Sequence, residues 1–168
     1  QIQKINIEDL LGRDSISLNK ENISKEIENR VILVSGAAGS IGSEICRQVI
    51  HYKPKKLILL DQAESNLYDL EHEFKSQEFN TNWEIVIGDV TNKQRMERIF
   101  SHFKPNMVYH AAAYKHVPLM ELNPSEAIST NVAGTKNLVD LSNDYSIEKF
   151  VLISTDKAVN PTSIMGAS

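Results

Sequence analysis

Ser154-Thr155-Asp156-Lys157 places a hydroxyl, a carboxyl and an amine on consecutive positions behind an apolar run. Such groups donate a hydrogen bond to an oxygen, protonate a leaving group and accept a proton. The same composition is ordinary in a solvated turn, so its meaning depends on what stands beside it. Upstream, Val31-Ile-Leu-Val-Ser-Gly36-Ala-Ala-Gly39-Ser-Ile-Gly42 runs from β-branched residues into glycines spaced by three. The chemistry of that pattern is phosphate binding. Gly36 permits a tight turn, Gly39 lets backbone approach a pyrophosphate, and Gly42 lets the next helix pack closely. Ser40 and Ile41 then head a helix whose free amides and positive dipole end face the phosphates. Asp61 closes the following apolar run, about where a carboxylate meets the ribose hydroxyls of adenosine. It would repel a 2′-phosphate, and no arginine is near it in sequence, so NAD is expected over NADP.

Other residues with chemical potential also follow apolar runs. Asp89, in Gly88-Asp89-Val90, has two readings: contact with an adenine amino group, or a cap for the helix after it. Val90 beside it belongs to the same expected cofactor wall. Ala111, Ala112 and Ala113 allow a flat cofactor to pass close to backbone, or reflect tight packing alone. Lys115 and His116 are candidates for substrate-phosphate contact, or plain surface residues. Asn131, within a helical pattern, is a cofactor candidate or faces solvent. His110 reads as a satisfied, partly buried histidine. The five histidines are scattered, so no metal site is expected. Tyr68 and Trp83 read as packing residues.

The elements that must position these groups alternate. Strands are predicted at 31–35, 56–61, 83–88, 106–110 and 148–154, short and rich in Val, Ile or Leu, as strands buried on both faces are. Helical patterns fill the gaps. Residues 41–51 carry Ile41, Ile45 and Val49 on one face, and 64–75 carry Leu67, Leu70 and Phe74. Residues 92–103 carry Met96, Ile99, Phe100 and Phe103, and 124–144 carry Ile128, Val132, Thr135, Leu138 and Val139. Asn123, Pro124 and Glu126 form a start signal for the last helix. This alternation predicts an α/β fold with a doubly wound parallel sheet, a nucleotide-binding Rossmann domain over 31–168. Residues 1–30, with an apolar cluster at Ile7, Leu10 and Leu11, are expected to be a lead-in that packs on it.

Bulk properties exclude several classes. At 168 residues the chain fits one domain, and 41% hydrophobic with 24% charged residues is ordinary for a globular protein. A net charge of −4 gives no reason to expect nucleic acid or an anionic membrane as partner. Cys46 is the only cysteine, which rules out an internal disulfide and points to a reducing, cytoplasmic compartment. No membrane span or signal peptide is visible. The start at Gln1 and the stop at Ser168 suggest a truncated domain, with any sugar-binding part and membrane anchor lying beyond the sequence.

Four stretches resemble one family. They are Gly36–Glu44, His110-Ala-Ala-Ala-Tyr-Lys-His-Val-Pro-Leu-Met-Glu121, Thr130-Asn-Val-Ala-Gly-Thr135, and Ile153-Ser-Thr-Asp-Lys-Ala-Val-Asn-Pro161 with Met165-Gly-Ala-Ser168. They are similar to the extended short-chain dehydrogenases/reductases and, more narrowly, to the CapD-like polysaccharide-biosynthesis proteins. Ile7–Arg13 resembles the segment before this domain in large, membrane-anchored members. The resemblance implies an NAD-dependent lyase, a nucleoside-diphosphate-sugar 4,6-dehydratase acting on a UDP-sugar such as UDP-N-acetylglucosamine. In that reaction oxidation at C4 acidifies the C5 hydrogen, a base removes it, an acid helps the C6 hydroxyl leave, and reduction at C6 regenerates NAD. Mapped onto this chain, Thr155 binds the C4 oxygen, Asp156 is the acid and Lys157 the base. The superfamily's usual Tyr-x-x-x-Lys motif would place tyrosine at 165, where this chain has Met165. The large dehydratases share that replacement, which moves acid–base work onto Thr155–Lys157. The 168-residue chain alone is expected to be inactive. Two other readings are an epimerase or reductase of the same fold and a non-catalytic cofactor-binding regulator; a homo-oligomer is compatible with any of them.

Overall fold

The computed structural model describes residues 19–77, 79 and 81–168. Ile7, Leu10, Leu11 and the Ile7–Arg13 stretch lie outside the described residues. Five parallel strands, β1 (Val31–Ser35), β2 (Lys56–Asp61), β3 (Trp83–Ile87), β4 (Met107–His110) and β5 (Lys149–Leu152), form one sheet in the order β3-β2-β1-β4-β5. The expected doubly wound α/β fold is thus present. The chain builds outward from β1 to β3, then crosses back to place β4 on the other side of β1. That reversal makes a switch point between β1 and β4, where the loops leaving the two strands part and open a crevice.

Register and burial follow from the period of two in a strand. Ile32 and Val34 of β1 join Leu57 and Leu59 of β2 on one face. Helix α1 (Lys20–Ile27) sends Ile27 to that face. Helix α2 (Ser40–Ile50) sends Val49 and Ile50, and α3 (Glu64–Ser76) sends Leu67, Leu70 and Phe74. Leu33, Ile58, Leu60 and Val108 point to the other face, against Met96, Ile99 and Phe100 of α4 (Lys93–Phe103) and Leu138 and Leu141 further on. A slip of one residue in any pairing would exchange the two faces. Trp83 packs edge-on to Phe74, ring centroids 5.5 Å apart.

Several expectations change here. The inner strands are buried on both faces, but β3 and β5 are half-exposed because they are the sheet's edges. β5 ends at Leu152, and Ile153–Thr155 already form loop. Ile41 is exposed, and the inward face of α2 carries Gly42, Cys46, Val49 and Ile50 instead. Tyr68 is also exposed, lying edge-on to His72 rather than in the core.

A short helix, α5 (Val117–Leu122), which none of the predicted elements covers, has Pro118 in its first turn. Asn123 holds the cap position of the next helix but not the capping bond: its Nδ2 donates to Leu119 O at 2.9 Å, closing α5 instead. The predicted helix 124–144 is three pieces: α6 (Pro124–Ala127), a π-helix (Ile128–Gly134) and α7 (Thr135–Asp144). The wider π turn rotates the buried stripe. Ala127, Thr130, Gly134 and Leu138 face inward, whereas Ile128, Val132 and Val139 are exposed. The chain closes with a 3₁₀ turn (Asp156–Ala158) and α8 (Ile164–Ala167). Among the described residues no helix is long and apolar enough to cross a membrane.

Candidate active site

Gly36 sits at φ 74°, the left-handed region, and an ideal Cβ there would lie 2.4–2.6 Å from the backbone of Ala111 and Ala112. Both facts require glycine at this turn. A Cβ on Gly42 would stand 2.0 Å from Gly36 O, so Gly42 lets α2 start directly on the turn that precedes it. Gly39 differs. Its backbone is ordinary, and a Cβ would meet only Gly36 O, at 3.3 Å. What glycine preserves at 39 is the open cradle in front of α2. Gly39 is also the N-cap residue of α2 and offers no capping side chain, so the amides of the first turn are left to a ligand.

Asp61, at the end of β2, faces this turn. Its Oδ2 accepts from Ala38 N and its Oδ1 from Ala63 N, both at 2.9 Å. Each carboxylate oxygen keeps a further lone pair for a ribose hydroxyl. Asp61, Gly36, Gly39, Asp89, Val90, Ala111–Ala113 and Thr130 line one cavity of about 280 Å³. Asp89 does not cap α4. Its Oδ1 accepts from Thr91 N at 2.8 Å in a local turn, and Asn92 caps the helix by accepting from Arg95 N.

A second cavity, of about 660 Å³, continues across the switch point. Ser40, Ile41, Lys115, Asn131, Thr155, Lys157 and Met165 line it, and it shares Ala111–Ala113 and Tyr114 with the first. The small alanines are therefore the common floor of a trough running from Asp61 to Lys157. A dinucleotide fits this trough by shape and donors: an acid at one end, a glycine cradle with helix amides in the middle, apolar wall beyond. A larger open groove, about 730 Å³, lies outside β3 between α3 and α4, away from the glycine turn, and holds none of these groups.

Other site candidates occupy different places. Lys115 Nζ donates to Ser40 Oγ at 3.3 Å, bringing its charge to the head of α2. His116 lines neither cavity; it is the residue before α5. Asn131 lies within the π-helix and is neither solvent-facing nor free. Its Oδ1 accepts from Tyr114 N at 2.8 Å, and its Nδ2 donates to Tyr114 O at 3.1 Å and Ser168 Oγ at 3.0 Å. It fixes the trough's floor and lines its second cavity. His110 is fully buried between Ser35 Oγ at 2.7 Å and Thr135 Oγ1 at 2.8 Å, and burial lowers its pKa to about 4. Such a group is a neutral tie between β1, β4 and α7.

At the far end, Thr155 caps the 3₁₀ turn and its hydroxyl donates to Asp156 Oδ1 at 3.0 Å. Thr155 and Lys157 line the trough; Asp156 does not. The Asp156 carboxyl is exposed, and the Thr155 hydrogen bond, with the Lys157 charge, holds it below the ordinary carboxylate range. Met165 is buried against Met120 and Ala127 with one side on the trough. Among the described residues no group of histidine, cysteine and carboxylate side chains is placed to hold a metal ion.

The class this fold and trough define is a Rossmann-type α/β domain. The chain belongs to the family described as polysaccharide biosynthesis protein, matched over residues 32–168. It is 52% identical over 99% of its length to the capsular polysaccharide biosynthesis protein CapD of Staphylococcus aureus, of which it spans 28%. It is 37% identical, over 82% of its length, to a UDP-N-acetylglucosamine 4,6-dehydratase (inverting) of Campylobacter jejuni, spanning 40% of that protein. Pen from Bacillus thuringiensis superposes with a TM-score of 0.78 at 33% identity, over 84% of this chain and 42% of Pen.

Proposed function

We propose that the chain is the cofactor-binding part, residues 31–168, of an NAD-dependent nucleoside-diphosphate-sugar 4,6-dehydratase. The substrate would be UDP-N-acetylglucosamine or a close relative, used in surface-polysaccharide synthesis on the cytoplasmic side of the membrane. The carrying observation is that Thr155 and Lys157 open onto the same trough as the glycine cradle, beside a Met165 that cannot relay a proton.

The residues that would hold NAD are Gly36, Gly39 and the amides of Ser40, Ile41 and Gly42 at the pyrophosphate. Asp61 would hold the adenosine ribose, with Asp89 and Val90 at the adenine and Ala111–Ala113 beneath. Bound there, the nicotinamide supplies a reversible oxidant for a secondary alcohol. The chain's own groups do the rest. Thr155 donates a hydrogen bond to the C4 oxygen. Lys157 takes the C5 proton on its amine lone pair. Asp156 is read as the acid for the departing C6 hydroxyl. That role requires its carboxyl to turn inward and lose the surroundings that keep it ionised. Lys115 is placed to meet a substrate phosphate. Met165 weighs against the epimerase reading, because epimerases resembling this fold usually rely on tyrosine there.

The test is turnover of UDP-N-acetylglucosamine by the full-length protein, followed by mass spectrometry for loss of water, with Lys157→Ala alongside. Loss of a positioned base typically costs about 10²–10⁴-fold in rate. Solvent-deuterium uptake at C5 should fall with it while NAD binding is retained. A Lys157→Ala protein that turns over at the parent rate would overturn the assignment.

A further inference from the structure

α5 ends on Met120-Glu121-Leu122. The first two of these side chains reach α8 rather than the trough. We infer that Glu121 is a positioning residue for Lys157, acting through α8. The inference rests on the reading of Lys157 as the proton acceptor.

Glu121 Oε1 accepts a hydrogen bond from Ile164 N at 2.8 Å, across 43 residues of chain. Ser163, the N-cap of α8, accepts from Gly166 N with its hydroxyl at 3.1 Å. The first-turn amides of this one-turn helix are therefore held by Glu121 from outside and by Ser163 from within. A four-residue helix has no stability of its own, because nucleation costs more than one turn returns. A charged acceptor at its positive end is the stronger kind of anchor. Met120, adjacent to Glu121, is buried against Met165, so the same end of α5 supplies an apolar contact and a hydrogen bond to one turn. The other end of α8 is tied by Asn131 Nδ2 to Ser168 Oγ.

What α8 supports is Lys157. A Cβ on Gly166 would stand 2.4 Å from the Lys157 carbonyl oxygen and 3.3 Å from Pro161 Cβ. α8 thus lies directly against the backbone of Lys157, at a separation only glycine allows. The other ties on Lys157 are local: the 3₁₀ turn is closed by Ala158 N to Thr155 O at 3.2 Å and Val159 N to Asp156 O at 3.0 Å, the Lys157 amide reaches Thr155 Oγ1 at 3.4 Å, and its side chain is exposed. Moving α8 moves the floor beneath Lys157. Glu121 does not line the trough, so its influence on the reaction is through this contact.

The experiment compares Glu121→Ala and Glu121→Gln in the full-length protein with UDP-N-acetylglucosamine. Readouts are kcat, KM, NAD affinity and hydrogen exchange at the Ile164 amide. Glu121→Ala should lower kcat on the order of 10²-fold, the typical effect of a displaced reacting group. KM and NAD affinity should stay at parent values. Exchange at Ile164 should quicken. Glu121→Gln keeps an acceptor oxygen and should restore most of kcat and the slow exchange. Parent-level kcat in Glu121→Ala, or a Gln variant as impaired as the Ala variant, overturns the inference. If the unaltered protein shows no turnover, the enzymatic reading fails; Ile164 exchange in Glu121→Ala then still decides whether the carboxylate anchors α8, with parent-like exchange counting against it.

Discussion

Asp61 and Ala38 meet between the loops that leave β2 and β1: the carboxylate at the end of β2 accepts from the amide inside the glycine turn at 2.9 Å. Asp61 also holds Ala63 N, so its carboxylate is oriented from both sides before any ligand arrives. The expected consequence is cofactor choice. A fixed negative charge at the ribose end repels a 2′-phosphate, and among the described residues no lysine or arginine lines that cavity. NAD should bind more tightly than NADP, as titration by calorimetry would show. Tighter NADP binding would place the ribose elsewhere.

Gly39→Val should remove NAD binding and leave the fold. The valine Cβ meets Gly36 O at 3.3 Å, which asks that carbonyl to shift slightly, and the extended backbone at position 39 is one that valine adopts. Its side chain then fills the cradle where a pyrophosphate would meet the α2 amides. Circular dichroism should match the parent while NAD titration goes flat. Normal NAD affinity would mean the cradle is not the phosphate site.

His110 predicts an acid limb of stability. Its folded pKa, lowered to about 4 by burial, lies below the ordinary 6.5. Above pH 6.5 the imidazole is neutral in both folded and unfolded chains, and its contribution is complete. As pH falls from there, the unfolded chain binds a proton that the buried ring refuses, so stability drops until the folded ring titrates near 4. The loss over that interval is on the order of 3 kcal/mol. Urea unfolding across this range should show it. His110→Gln should flatten the limb, even though it weakens the ties to Ser35 and Thr135. An unchanged slope in that variant would assign the limb to other groups.

Much of the site was legible because its signals are local. Gly36, Gly39 and Gly42 are spaced within one turn, and the conformation that demands glycine at 36 is a property of that stretch of backbone. Asp61 could be placed because a buried strand announces itself as Lys56-Leu-Ile-Leu-Leu and the acid ends it. The parallel sheet followed from alternation and the need to bury both faces of inner strands, whereas the order β3-β2-β1-β4-β5 is a finding of the structure.

Other features belong to contacts between distant segments. Asn131 in a helical pattern carries no mark that it will clamp Tyr114, because the clamp needs β4 beside the π turn. The exposed Ile128, Val132 and Val139 read as a core stripe under a period of 3.6; one wide turn moved them out of register. That turn has its reason in packing: a Cβ on Gly134 would lie 2.6 Å from Val90 Cγ2, so helix and loop close against each other there. Asn123 looked like a cap because its type favours that bond, but the unannounced α5 put Leu119 O within reach first. Residue types and spacing by themselves determined the parallel sheet, the glycine turn and the chemical repertoire at its rim. Tertiary structure decided which of those groups share a trough, because Gly39 and Lys157 come to the two cavities joined by Ala111–Ala113 only when the strand order reverses at β1.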